Sequence, residues 1–278
     1  MDKYNVYQDM SRRTGGEIYL GIVGPVRTGK STFIKRFMEL VVIPEMSDDN
    51  EKVRTIDELP QSADGKTIMT TEPKFIPKEA AVIHFSNQET GKIRLIDCVG
   101  YLVPEAVGAI EEEKERMVKT PWSEEEIPFS KAAEIGTSKV IREHSNLGLI
   151  ITTDGSFGDI AAVNFEEALQ KTVMECEKAG KPFLILVNTS RPDSQETIQF
   201  TKRLEAQYGK TVMAVNCKTM DREDVFRIME QLLADFPITR LNFLLPKWVE
   251  FLQPDNWLKQ DLIEKCRNVI QKRRNSGG

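Results

Sequence analysis

The residues best able to do chemistry lie close together in "GPVRTGKST" (24–32), which fits G-x-x-x-x-G-K-[ST] directly after an apolar run and directly before a helical pattern. In that pattern the glycines let the backbone wrap around an anion, so that N–H groups of Gly24, Val26, Arg27, Thr28 and Gly29 face phosphate oxygens. Lys30 reaches the β- and γ-phosphates, Ser31 offers an oxygen to Mg²⁺, and Ser31 and Thr32 open the helix whose N-terminus faces the anion. A metal held this way also needs a carboxylate. Asp97 closes the apolar run of "LIDCVG" (95–100) and is expected at the carboxyl edge of a sheet, beside the loop. Gly100, three residues on, lets a backbone N–H approach the γ-phosphate. A polar stretch before it contains Thr70 and Thr71; either can offer its hydroxyl to Mg²⁺ and sense the γ-phosphate, and their adjacency leaves the choice open.

The base end is less ordinary. "PFLILVNTSRP" (182–192) reads as a buried strand entering a polar loop, where a guanine-binding protein carries Asn-Lys-x-Asp. There the carboxylate accepts from N1–H and the 2-amino group of guanine, and the lysine stem covers the ring. In this chain the four residues are Asn188, Thr189, Ser190 and Arg191. Arg191 can only donate and Thr189 is too short to cover a base. Guanine would meet donors with donors, a mismatch that buried sites discriminate against strongly. Adenine has an acceptor at N1 that Ser190 or Arg191 can satisfy, so ATP is the expected nucleotide. The backbone of "VNCKT" (215–219), including Cys217, is placed to flank the base, and Asn188 is expected to tie this loop to the phosphate loop.

These segments must be positioned by an α/β sheet. "EIYLGIVG" (17–24) is the first strand and residues 31–42 the first helix. Residues 44–77 show little periodicity and read as a long loop. "AAVIHFSN" (80–87) and "KIRLIDCVG" (92–100), joined by a short connector, read as an antiparallel hairpin in an otherwise parallel pattern. An acidic, proline-punctuated stretch (111–128) precedes a helix near 129–145. Strands at 147–154, 182–188 and 211–217 then alternate with helices near 163–179, 193–207 and 222–235. The expected fold is a P-loop domain over 1–237, mostly parallel with one antiparallel strand. Beyond Pro237 the rhythm changes; Trp248 and Trp257 call for a packing surface, so 238–278 is read as an appendage or the start of a following domain.

Bulk properties narrow the function classes. A 278-residue chain with 40% hydrophobic and 29% charged residues can bury a full core. Its net charge of −5 argues against non-specific nucleic-acid binding, and Lys272-Arg273-Arg274 reads as a solvated end. Four dispersed cysteines (Cys98, Cys176, Cys217, Cys266) form no C-x-x-C pair and two histidines (His84, His144) add no metal pattern, so reduced thiols in a cytosolic protein are expected. No signal-peptide core and no run of about 18 apolar residues is present.

The order of P-loop, threonine loop, antiparallel strand and D-x-x-G resembles the translation-factor-related GTPases of the Era and TrmE type. Longer blocks are more specific: "RTGGEIYLGIVGPVRTGKSTFIKRFMELVVIPEM", "DELPQSADGKTIMTTEPKF", "RLIDCVGYLVPEA" and "SKVIREHSNLGLIITTDGSFGDI" are similar to the ATPase region of the stage IV sporulation protein A family. That resemblance implies a spore-coat ATPase whose turnover drives polymerisation with its own copies. It also implies a mother-cell location on the forespore surface, other coat proteins as partners, and indirect membrane contact through a small amphipathic peptide. TrmE-like relatives place a cation-ligating asparagine where this chain has Arg27, which suggests that the guanidinium supplies that charge in cis; a plain exposed or ion-paired arginine is the other reading. Tyr101 and Leu102 follow Gly100 where Ras-like proteins carry a water-orienting glutamine, so backbone or Asp154 is expected to orient water. Three functions remain open at this level: an ATPase, a regulatory GTPase, and a structural coat component that binds nucleotide without turnover.

Overall fold

The computed structural model describes residues 14–60, 72–84, 90–104, 110–111, 114–234, 246–249 and 251–275. Besides a two-residue strand pair, Ile110–Glu111 with Lys114–Glu115, the strands among the described residues are β1 (Glu17–Val23), β2 (Lys74–His84), β3 (Thr90–Asp97), β4 (Met117–Thr120), β5 (Ser123–Pro128), β6 (Leu147–Thr153), β7 (Phe183–Asn188) and β8 (Val212–Val215). Six of them form one sheet in the order β8-β7-β6-β1-β3-β2. Only the β2–β3 pair is antiparallel; the other neighbours are parallel. This is the mostly parallel α/β sheet that the sequence calls for. Every residue of β6 and β7 is buried, as expected for parallel strands covered on both faces.

Helices α1 (Lys30–Phe37), α2 (Asp49–Glu58), α3 (Phe129–Lys139), α4 (Glu166–Ala179), α5 (Gln195–Tyr208) and α6 (Arg222–Ala234) connect the strands. α1 continues through a π-helical turn to Val42, and its Phe33, Ile34 and Phe37, with Met38 and Val42 beyond, are fully buried. α3 likewise passes into a π-helical turn, Val140–His144, whose exposed carbonyls need partners. Lys181 supplies them: its ammonium donates to the carbonyls of Ile141 (2.8 Å), Arg142 (2.7 Å) and Ser145. α4 and α5 end at Gly180 and Gly209, both in the left-handed region that closes a helix without a Cβ penalty. Beneath the sheet's carboxyl edge, Val23, Ile96, Ile150, Ile185 and Val187 pack with Leu169 and Val173 of α4.

The structure corrects three local expectations. Residues 44–77 are not one loop, because α2 lies within them. Asp48 caps it, its carboxylate accepting from the N–H groups of Asn50 (2.7 Å) and Glu51 (3.3 Å). Val53 and Ile56 are exposed, so this helix lacks the buried apolar face that periodicity detects. β2 begins at Lys74, earlier than residue 80. Phe75 and Ile76 pair with Ile96 and Leu95, and the register then shifts before Ala81, which accommodates Pro77 at the edge of the sheet. The acidic stretch before α3 contains a hairpin of β4 and β5, with Thr120 opposite Ser123.

The chain divides into two compact units, Met1–Asp235 and Phe236–Gly278. The second contains a short turn, Lys247–Val249, and helix α7 (Trp257–Asn275). Asn256 caps α7 through the N–H of Leu258 (3.0 Å), while Trp248, Phe251 and Trp257 stay exposed. No helix among the described residues is long and apolar enough to cross a membrane.

Because Phe33 is fully buried one turn into α1, its truncation leaves a cavity directly behind the phosphate loop. Phe33→Ala is expected to lower unfolding stability by about 3–5 kcal/mol in denaturant titration.

Candidate nucleotide site

At the carboxyl edge of the sheet, β1 runs into the 24–32 loop, which then opens α1. Gly24 (φ 129°) and Gly29 (φ 94°) make the reversal possible. A Cβ on Gly24 would lie 2.3 Å from the Ile151 carbonyl oxygen, and one on Gly29 would lie 2.3 Å from Asn188 Nδ2. Thr28 is buried and its hydroxyl donates to the Pro25 carbonyl at 3.0 Å, closing the loop on itself. Val26 is buried and its N–H donates to the Tyr101 carbonyl at 2.9 Å. Thr32 is half-buried on α1 beside Ser31.

Lys30 lies within the ring of this loop, donating to the carbonyls of Pro25 (2.6 Å) and Gly24 (3.4 Å). Burial pushes its pKa down, opposed by the nearby Cys98 and Asp97. Asp97, at the end of β3, accepts from the Ser31 hydroxyl at 3.0 Å through Oδ2. Its pKa is raised by burial, against the pull of Lys30 and the Ser31 hydrogen bond. The second oxygen, Oδ1, is buried and has no hydrogen-bond partner among the described residues. An unpartnered buried carboxylate oxygen is costly unless a ligand completes it.

That orphan oxygen beside a serine hydroxyl fits a hard divalent cation. Mg²⁺ takes one or two protein oxygens and completes its shell with phosphate oxygens and water. Among the described residues no group of three or more His, Cys, Asp or Glu side chains is placed to hold a metal ion. Gly100 lies against the loop: a Cβ there would fall 2.0 Å from the Gly24 carbonyl oxygen and 2.8 Å from Lys30 Nζ. Tyr101 turns into an apolar cluster with Val26, Val103, Ile160 and Phe165. Thr70 and Thr71 lie outside the described residues.

Arg27 is exposed at the rim, at φ 62°, the one positive-φ residue other than glycine among those described. Its side chain makes no hydrogen bond or ion pair among the described residues.

The base-side loops are joined to the phosphate loop by Asn188. Its Nδ2 donates to the Thr28 carbonyl at 3.0 Å, and its Oδ1 accepts from the Cys217 N–H at 3.0 Å. The Cys217 amide therefore holds the end of the β8 segment onto Asn188, which removes it from the set of donors facing a base. Its thiol is fully buried and pushed up to about 12 by desolvation. Arg191 leaves the loop toward α5, where it forms an exposed ion pair with Glu196 at 3.1 Å.

Asp154 has contacts that the sequence did not show. Its Oδ2 accepts from the Thr189 hydroxyl at 2.6 Å and its Oδ1 from the Ser156 N–H at 3.0 Å. Burial raises its pKa, but the hydrogen bonds from Ser156 and Thr189 outweigh that and hold it below the usual carboxylate range. Both oxygens hold the base-side loop, and no contact among the described residues tests the expectation that this carboxylate orients water. Only the pairing of Asp154 with Thr189 across two strand ends, 35 residues apart in sequence, would have revealed it. His144 packs edge-on against Phe75, with ring centroids 5.3 Å apart, and belongs to the core side of the sheet rather than to this site.

Two variants test this geometry. Asn188→Ala strands a carbonyl and an N–H that are otherwise satisfied, and should cost about 2–4 kcal/mol in denaturant unfolding. Gly100→Ala forces a Cβ into the Gly24 carbonyl and is expected to abolish nucleotide binding in calorimetry while leaving far-UV circular dichroism unchanged.

Comparison with known proteins places this arrangement in a lineage. Residues 1–237 match the family model described as "Stage IV sporulation protein A, ATPase domain". Stage IV sporulation protein A of Bacillus subtilis (strain 168) is 48% identical over 271 residues, 98% of this chain and 55% of that protein. The Bacillus anthracis protein of the same name is 46% identical over 271 residues, again 98% of this chain and 55% of the relative. That of Clostridioides difficile (strain 630) is 46% identical over 266 residues, 96% of this chain and 54% of the relative. The chain thus spans about half the length of the curated relatives it matches. With its P-loop, Asp97 and Asn188 converging at the carboxyl edge of an α/β sheet, the chain belongs to the stage IV sporulation protein A family and carries that family's ATPase domain.

Proposed function

We propose that this chain binds ATP with Mg²⁺ and hydrolyses it to ADP and phosphate. On this reading residues 1–237 handle the nucleotide and 238–278 belong to a second domain. Turnover drives self-assembly into the basement layer of the spore coat, on the mother-cell face of the forespore. Other coat proteins and a small amphipathic membrane-bound peptide are the partners, so membrane contact is indirect.

The observation that supports the catalytic reading is the buried Lys30 beside the half-buried pair of Ser31 and Asp97, with one buried oxygen of Asp97 left unpartnered among the described residues. Ser31 Oγ and Asp97 would hold Mg²⁺, with Thr70 or Thr71 joining from the loop between α2 and β2. The bound ion would neutralise charge on the β- and γ-phosphate oxygens. Lys30 contributes a fixed positive charge within the loop ring, and the N–H groups of Gly29, Lys30 and Ser31 open α1 toward the anion. Gly100 keeps the space beside Lys30 free for the γ-phosphate. The choice of ATP is supported at the other end: the position of the guanine-reading carboxylate is held by Arg191, whose guanidinium is directed to Glu196.

Arg27 adds a second catalytic element. A left-handed arginine costs about 1 kcal/mol or more, a strain that proteins tolerate chiefly where function requires it. Exposed and without an ion pair among the described residues, it can bring its charge to the bridging phosphate oxygen as the bond breaks.

Phosphate release from ATP and GTP, followed by sedimentation, tests the whole reading. Wild type should release phosphate from ATP and form pelletable assemblies, and Lys30→Ala should reduce release by about 100-fold or more. Faster turnover of GTP would assign a GTPase; binding with no release that Lys30→Ala abolishes would assign a structural nucleotide binder. Arg27→Ala is expected to lower kcat by about 100-fold or more with little change in KM. Undiminished turnover, or strong stimulation of wild type by potassium, would remove Arg27 from the mechanism.

A further inference from the structure

Parallel pairing of β6 with β7 sets Thr153 opposite Asn188, so the next residues, Asp154 and Thr189, leave the sheet side by side. Thr189 is fully buried, and its hydroxyl donates to Asp154 at 2.6 Å. A hydroxyl whose proton is committed this way has lone pairs left to accept. The Thr189 oxygen accepts from the Arg191 N–H at 3.2 Å, and the Ser156 hydroxyl lies 3.4 Å away. Ser156, itself fastened to Asp154 through its N–H, accepts from the Ser190 N–H at 2.8 Å. The Thr189 N–H donates to the Val215 carbonyl at 2.9 Å.

The consequence is a full account of the main-chain donors in this loop. All three N–H groups of residues 189–191 are bound internally, two of them through partners that Asp154 orients. A 6-oxo purine therefore finds no free main-chain donor in this stretch. What the loop retains for a base is the Ser190 hydroxyl and carbonyl oxygens, which complement an exocyclic amine.

We propose that Asp154 is a positioning residue that determines base specificity: by holding Thr189 and Ser156 it locks the 189–191 loop with its amides turned inward, favouring adenine over guanine. This rests on the ATP-binding reading above. It differs from the role of Arg191, because selectivity here comes from donors that are occupied rather than from a carboxylate that is missing.

Steady-state kinetics with ATP and GTP on the full chain test it, alongside thermal melts. Asp154→Ala and Thr189→Val should each raise KM for ATP about tenfold and narrow the ATP-over-GTP ratio of kcat/KM by a similar factor, with kcat for ATP changed less than about twofold. Asp154→Asn keeps an acceptor for the Thr189 hydroxyl and should recover most of the selectivity. The double variant should be no worse than either single, since both remove one interaction. Selectivity equal to wild type in both single variants, with only a lower melting temperature, would overturn the proposal and leave a structural brace. Wild type that releases no phosphate from ATP would overturn the ATPase reading and this inference together, whereas an active wild type with unaltered variants sinks the inference alone.

Discussion

One buried amide holds the site together. Asn188 stands at the end of β7, donates to the phosphate loop at Thr28 and accepts from the segment after β8 at Cys217. These three pieces come from strands that the chain visits far apart in sequence, and each would otherwise expose an unsatisfied main-chain group in a dry environment. Because an asparagine side chain offers a donor and an acceptor in fixed relation, it sets the distance between the phosphate end and the base end. Gly29 is part of the same constraint, since any Cβ there would displace the amide.

Around this joint the two ends of the site differ in their economy of charge. At the phosphate end, burial works against Lys30 and Asp97, and Asp97 keeps an oxygen without a partner. Such an arrangement is unfavourable to folding by itself, and on the proposed reading a triphosphate and its metal would offset that cost. At the base end the opposite holds: each oxygen of Asp154 has a hydrogen-bond partner and the loop amides are satisfied. One end waits for charge, and the other is set in shape before a base arrives.

Legibility in the sequence followed locality. The strand-to-helix placement of the 24–32 loop and the position of Asp97 at a strand end could be read directly, because they depend on residues adjacent in sequence. The parallel sheet was equally open, since β6 and β7 are continuous apolar runs. α2 was not, because its stability comes from the Asp48 cap and not from a buried apolar face. The early start of β2 was hidden by Pro77, which reads as a breaker but sits where the register of an edge strand shifts.

The sequence by itself determined that a G-x-x-x-x-G-K-[ST] loop, an aspartate closing an apolar run and Asn-Thr-Ser-Arg in place of Asn-Lys-x-Asp exist in one α/β chain. Residue types settle this, because donors, acceptors and glycine conformations are properties of the residues themselves. Only the tertiary structure decided what those groups are already bound to. Arg191 pairs with Glu196, the Cys217 amide with Asn188, and Asp154 with Thr189. The reason is geometric: a hydrogen-bonding group has a limited number of partners, and which of them lies within 3 Å is set by strand order and register, not by sequence distance.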